Sequence, residues 1–238
     1  MAFGGETIDN YGVIRPFPAA SMLTGLLANA LGWRRIERNR HQELQDRLVF
    51  ASRIDREPAG GTPMTDFQTA QLGAKDQGWT TRGVPEGRAG GANTYNAPHL
   101  RYRDFWVDMR VNIALRLEPA DAAPTLDTLA EALREPARPL FIGRKPCLPS
   151  ESVFGGFVEG DSVLAAILST PLADGAAETA SVRLLWPDGE GAAGITPNRT
   201  YMLTDQRNWI SSLHGGGWAV CEGTVDRGRF LSRSAPSE

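Results

Sequence analysis

The chemistry open to this chain is written mostly in arginine, glycine and aromatic residues. Leu140-Phe141-Ile142 reads as a short apolar strand running into Gly143-Arg144-Lys145-Pro146. A glycine followed by two cations at a strand end suits a phosphate contact. Between Asp55 and His99, Phe67, Trp79 and Tyr95 are interleaved with Lys75, Arg82 and Arg88. Rings alternating with cations suit stacking on bases and pairing with phosphates. The same composition also suits a surface excursion with aromatic anchors. Every basic residue except Lys75 and Lys145 is arginine. Arginine forks onto phosphate and stacks on bases, although the bias equally fits genome composition. Arg34, Arg35, Arg38 and Arg40, relieved only by Glu37, read as a solvated helix face or turn.

A catalytic constellation is harder to assemble. His41, His99 and His214 are scattered. His99, beside Arg101 and Tyr102, could act as a general base in RNA cleavage, and equally as a structural residue in a turn. Cys147 and Cys221 make no zinc pattern and imply no disulfide, which places the chain in a reducing cytoplasm. Neither a Walker loop nor a dinucleotide fingerprint is present, so no metal and no cofactor is expected. No apolar run approaches the roughly 20 residues of a membrane span, and no signal peptide is expected after Met1. The formal net charge of −3 does not advertise a polyanion partner. Residues 1–150 carry a small positive balance and residues 151–238 a negative one.

These residues need elements to hold them. Phe17 to Trp33 is the strongest signal, with Met22, Leu23, Leu26, Leu27, Ala30 and Leu31 at helical spacing. Ser21 is the expected N-cap and Gly32 the expected left-handed C-terminal residue. The N-terminus of this helix, following the Gly-containing segment Met1 to Arg15, could offer open N–H groups to a phosphate. Residues 1–16 read as loop with a short strand near Val13. Gln42 to Asp46 reads as helix and Leu48 to Ile54 as a strand. Met109, Val111, Ile113, Leu115 and Leu117 alternate with polar or small residues, a strand with one buried face. Pro124 and Thr125 open a second helix carrying Leu126, Leu129, Ala130 and Leu133, which Pro136 and Pro139 end. Val163 to Leu168 is a short apolar segment. Val182 to Trp186, Thr200 to Leu203 and Trp218 to Val225 read as strands of a smaller β-rich part.

In this order the chain resembles the CasD family, a subunit of the type I-E CRISPR surveillance complex Cascade. The residues that carry it are MAFGG at 1–5, FPAASMLTGLLANALGW at 17–33 and DFQTAQL at 66–72. RYRDFWVDMRVNIAL at 101–115, LFIGRKPC at 140–147 and DQRNW at 205–209 complete it. The resemblance implies an α+β fold with an RRM-like (ferredoxin-like) core, a long β-hairpin or thumb at about 64–104, and a small C-terminal region. Residues 1–150 would form the RRM-like domain and 151–238 the β-rich part. It also implies a first strand before the segment at 1–5, so that strand is expected to be missing from this chain and the true chain to be longer.

The function implied is a non-catalytic scaffold for antiviral defence that caps the 5′ handle of the guide crRNA. It would bridge the large subunit to the backbone subunits and meet target DNA through the complex, with no membrane partner. Gly4, Gly5 and Ser21 would bring backbone N–H groups to the handle's phosphates. Arg101, Arg103, Gly143, Arg144 and Lys145 would grip it from neighbouring strand ends, with Arg82 and Arg88 on the thumb. A relative in type I-C systems cuts RNA, so a metal-independent endoribonuclease using His99 is the competing expectation. A plain protein–protein adaptor is the third.

Overall fold

The computed structural model describes residues 1–8, 11–70, 78–79, 85–86, 99–173 and 180–231. The chain opens with strands β1 (Gly4–Ile8) and β2 (Tyr11–Ile14), then helices α1 (Ala20–Ala30) and α2 (Arg38–Arg47). Strand β3 (Leu48–Arg56) is followed by the hairpin arm β4 (Met64–Ala70) and the two-residue strands β5 (Gly78–Trp79) and β6 (Pro85–Glu86). The return arm β7 (His99–Phe105) leads into β8 (Arg110–Leu117) and helix α3 (Leu126–Arg134). Helix α4 (Val163–Ser169), strands β9 (Ser181–Pro187), β10 (Arg199–Leu203) and β11 (Trp218–Asp226), and the short α5 (Gly228–Leu231) complete it.

One sheet has the order β10-β11-β9-β3-β8 and is antiparallel throughout, so it runs across residue 150 without a break. The period-2 alternation of β8 does what it must. Val111, Ile113 and Leu115 pack on the face toward Phe3, Phe50 and α1, and Leu117 joins Leu27, Leu44 and Leu129 of α1, α2 and α3. On the other face Ala51, Ala114, Leu184 and Trp186 pack against Leu164 and Ile167 of α4. The sheet is therefore covered on both sides. A second sheet, β1-β2-β7-β4, holds the expected hairpin: β4 and β7 pair antiparallel from Met64↔Phe105 to Ala70↔His99. This is the mixed α+β architecture expected, consistent with an RRM-like core. No described helix is long and apolar enough to cross a membrane.

Three local expectations change: residues 1–16 hold the two strands β1 and β2 rather than a loop with one short strand, Ser21 does not cap α1, and Leu140 to Ile142 is not a strand. Ser21 is not the N-cap of α1; it lies inside the helix, and Ala19 occupies the cap position with no side-chain bond. The cap comes from far along the chain. The Asp205 carboxylate accepts from the Ala20 N–H at 2.9 Å, and the Asp205 carbonyl accepts from the Ser21 N–H at 3.3 Å. Trp218 Nε1 donates to the other carboxylate oxygen at 2.7 Å. A sequence window cannot see a cap supplied from 185 residues away. At the other end Gly32 has φ of 75°, and Trp33 N–H reaches the Ala28 carbonyl at 2.9 Å, the expected left-handed cap.

Leu140 to Ile142 is not a strand. Ile142 N–H donates to Cys147 O at 2.7 Å and Cys147 N–H to Arg144 O at 2.8 Å, so the segment closes into a turn. The flanking Pro139 and Pro146 cannot donate to a ladder, which favours the turn. Val163 to Ser169 is helical, capped by Ser162, whose hydroxyl accepts from Ala165 N–H.

One feature of the core left no trace in the apolar pattern. Arg53 and Asp55 of β3 are fully buried and paired. Arg53 also donates to the carbonyls of Ile167, Thr170 and Pro171, and Asp55 accepts from Ala173 N–H. The pair satisfies the C-terminal carbonyls of α4 and fastens that helix to the sheet.

Candidate nucleic-acid interface

The second sheet presents a different surface. β2 lies parallel to β7 with Tyr11 opposite Tyr102 and Gly12 opposite Arg103. β4 lies antiparallel on the other side of β7, with Phe67 opposite Tyr102. Side chains opposite each other in a sheet share a face, so the register alone lines up three rings. Tyr11 and Tyr102 stack at 4.9 Å with 11° between planes, and Phe67 stands 5.5 Å from Tyr102. Tyr11 is 58% exposed and Phe67 54% exposed. No helix covers this face among the described residues. A ladder of open rings on a β-sheet is a surface on which bases stack.

Strand alternation sends Arg101 and Arg103 to the reverse face. There Arg103 meets Arg144 over Gly12. A Cβ at Gly12 would stand 2.8 Å from Arg144 Nη2 and 3.3 Å from Arg103 Nη1, so glycine lets both guanidiniums lie against this strand as they stand. Arg144 donates to the carbonyls of Asp104 at 2.9 Å and Gly12 at 3.3 Å, and lies 5.1 Å from the Phe105 ring centre. Burial, and then the charge of Arg103, push the pKa of Arg144 down. No carboxylate forms an ion pair with Arg144 among the described residues. Two cations are thus held together at the root of the hairpin by the chain's own backbone.

The expected site residues divide accordingly. Arg103, Gly143, Arg144 and Lys145 come together at the hairpin root, with Arg101 two positions along β7 on the same face. Gly4 and Gly5 lie in β1, in the same sheet, and Gly4 is paired opposite Ile14. Lys145 is exposed. Gly143, with φ of 84°, uses its freedom inside the protein: a Cβ there would stand 1.8 Å from Ala2 O. Ser21 is elsewhere, at the start of α1. The expectation of open N–H groups at that helix start is corrected, because Ala20 and Ser21 N–H both bond to Asp205. Arg144, expected to point outward from a strand edge, is half-buried between β2 and β7. Arg82, Arg88, Lys75 and Tyr95 lie outside the described residues, as do the side chains of Trp79 and His99.

Sequence reasoning missed Tyr11, Gly12 and Tyr102. The alternation Arg101-Tyr102-Arg103 already separates a ring from two cations by strand period. Nothing local points to Tyr11, which reaches Tyr102 through a parallel pairing between distant strands. Elsewhere a cleft of about 410 Å³ is lined by Met1, Arg56, Trp106, Asp108, Arg110 and Cys147, among others. Its charged groups are engaged: Arg56 with Asp108, and Arg110 with Glu151. No group of three or more potential metal ligands occurs among the described residues.

The family model for CRISPR-associated protein (Cas_Cas5) matches residues 1–221. No curated protein matches the chain. A solved structure described as a CRISPR RNA-guided surveillance complex is similar at 21% identity, with a TM-score of 0.64, over 94% of this chain and 86% of that one. Another, described as the crystal structure of a Cas protein, is similar at 21% identity with a TM-score of 0.57, over 93% and 91%.

Proposed function

Because the chain belongs to the CRISPR-associated protein (Cas_Cas5) family, we propose that it is a non-catalytic, guide-RNA-binding scaffold subunit of a CRISPR surveillance complex. The finer reading is the CasD subunit of a type I-E Cascade, capping the 5′ handle and joining the large subunit to the backbone subunits. One observation carries it: the hairpin root offers stacked open rings on one face and two converging guanidiniums on the other.

The two faces suit different parts of one ligand. Base–aromatic stacking is worth about 1–3 kcal/mol per base and tolerates any sequence. The Arg103–Arg144 pair is mutually repulsive, and a phosphate placed against it would relieve that repulsion. Rings plus a cation pair suit holding RNA, and no nucleophile–base pair stands beside them among the described residues. The test is labelled repeat RNA incubated with the purified complex. Retention of intact RNA, abolished in Tyr102→Ala/Arg103→Ala, is the expected result. Specific cleavage that disappears in His99→Ala would replace this reading with the endoribonuclease.

A further inference from the structure

The arginines of residues 34–40 take no part in the hairpin root, and the structure adds a fifth to them. Gln45, buried on α2, donates to Arg207 O at 2.9 Å and accepts from Arg207 N–H at 3.2 Å and Trp209 Nε1 at 3.0 Å. Gln42 accepts from Trp209 N–H at 2.9 Å, and Arg38 donates to Ile210 O at 3.0 Å. These bonds dock the 205–210 segment on α2. Arg34, Arg35, Arg38, Arg40 and Arg207 therefore share one surface. Two lie over indoles, Arg40 at 4.2 Å from the Trp33 ring centre and Arg207 at 5.4 Å from that of Trp209. His41 is buried between the same two indoles, which stiffens the platform.

The only carboxylate within residues 34–40 is already engaged. Glu37 accepts from Arg34 N–H and from Arg40, and these two bonds lower its pKa. Arg34, Arg35 and Arg38 make no ion pair among the described residues. Arg38 and Arg40 stand in the first turn of α2, which carries no acidic residue. Cations there oppose the helix dipole and weaken the helix. Arg38, Arg40 and Arg207 have contacts within the fold, whereas the Arg34 and Arg35 side chains add two like charges with no hydrogen bond or ion pair among the described residues, and such a gathering of cations favours an anion outside the chain. A protein interface would surround an apolar, pocketed centre with such charges. Ile36, Ile210 and Leu213 are exposed on the same turn and docked segment, but the cleft described above lies elsewhere, and five guanidiniums against the one engaged carboxylate of residues 34–40 give the surface a charge that suits a chain of phosphates.

We infer that this surface is a second nucleic-acid contact, separate from the hairpin root, that binds a phosphodiester backbone without reading its sequence. The inference stands independently of the guide-RNA reading. The test uses the full chain, a labelled mixed-sequence DNA duplex and a salt series. Arg34→Ala/Arg35→Ala removes two exposed cations whose side chains make no hydrogen bond or ion pair among the described residues. Duplex affinity should fall roughly tenfold, and the slope of log K against log salt should flatten by about 0.9 for each phosphate no longer neutralised. Circular dichroism should show the same fold. Failure of the unaltered chain to bind the duplex, or an unchanged slope and affinity in the variant, would overturn the inference. So would poly-L-glutamate that binds as tightly per charge as the duplex and fails to bind the same variant, which would make this a docking face for acidic protein.

Discussion

The two sheets of this protein solve opposite problems. The five-stranded sheet is covered by α1, α2 and α3 on one side and α4 on the other, and even its charged pair, Arg53–Asp55, is enclosed and satisfied. The four-stranded sheet leaves Tyr11 and Phe67 more than half exposed and brings two arginines together. Burial in the first serves stability. Exposure in the second contributes little to folding and leaves surface for a ligand. Substitutions in the first should change folding and leave RNA affinity alone in the molecules that remain folded; those in the second should do the reverse.

The largest expected effect is in the covered sheet. Asp55→Ala leaves the Arg53 charge buried without its counter-charge, which costs about 3–5 kcal/mol. Urea unfolding should show the midpoint falling sharply. Next is Asp205→Ala, which removes the cap of α1 and orphans Trp218 Nε1. A missing cap and an unsatisfied half-buried donor together cost about 1–3 kcal/mol in thermal unfolding. Asp205 also gives a pH signature. Burial holds its carboxyl above the ordinary aspartate value, against the opposing hydrogen bonds from Ala20 and Trp218. The folded chain then keeps this proton to higher pH than the unfolded chain. This group's contribution falls as pH rises from the unfolded pKa through the raised folded one. Asp205→Asn should flatten that part of the stability–pH curve.

The exposed sheet should respond in affinity instead. Tyr102→Ala removes the central ring of the ladder and should weaken RNA binding by about 1–3 kcal/mol, with the urea midpoint nearly unchanged. The smallest effect should come from Gly12→Ala. The added methyl displaces Arg144 Nη2, which it would approach to 2.8 Å, while every charge remains. RNA affinity should drop by a few fold, roughly 1 kcal/mol or less, since a flexible guanidinium can shift. A large loss of stability in Tyr102→Ala would erase the contrast between the sheets.

Much of the covered sheet was legible in the sequence because its signals are local. The alternation in β8, the periodicity of α1, Thr125 as the cap of α3 and Gly32 as the end of α1 each need only a few neighbouring residues. What could not be read depends on distant partners. Asp205 caps α1 across 185 positions, so Ser21 looked like the better cap. Gly143 looked like an opening for phosphate because Ala2 O, which it accommodates, is remote in sequence. At the hairpin root, Arg103 and Arg144 were legible as cations, but their convergence over Gly12 required the parallel pairing of β2 with β7. The Arg34–Arg40 cluster read as solvated surface because Arg207, and the glutamine bonds that bring it there, lie far along the chain.

The central claim is that the hairpin root holds the guide RNA through paired cations. Its most direct test is the salt dependence of guide-RNA binding by the assembled complex carrying Arg103→Ala/Arg144→Ala, with circular dichroism as the folding control. On single-stranded RNA the slope of log K against log salt should flatten by about 0.7 for each phosphate no longer neutralised, with weaker binding at every salt concentration. An unchanged slope with unchanged affinity in a correctly folded variant would contradict the claim and assign this cation pair to the protein's own architecture.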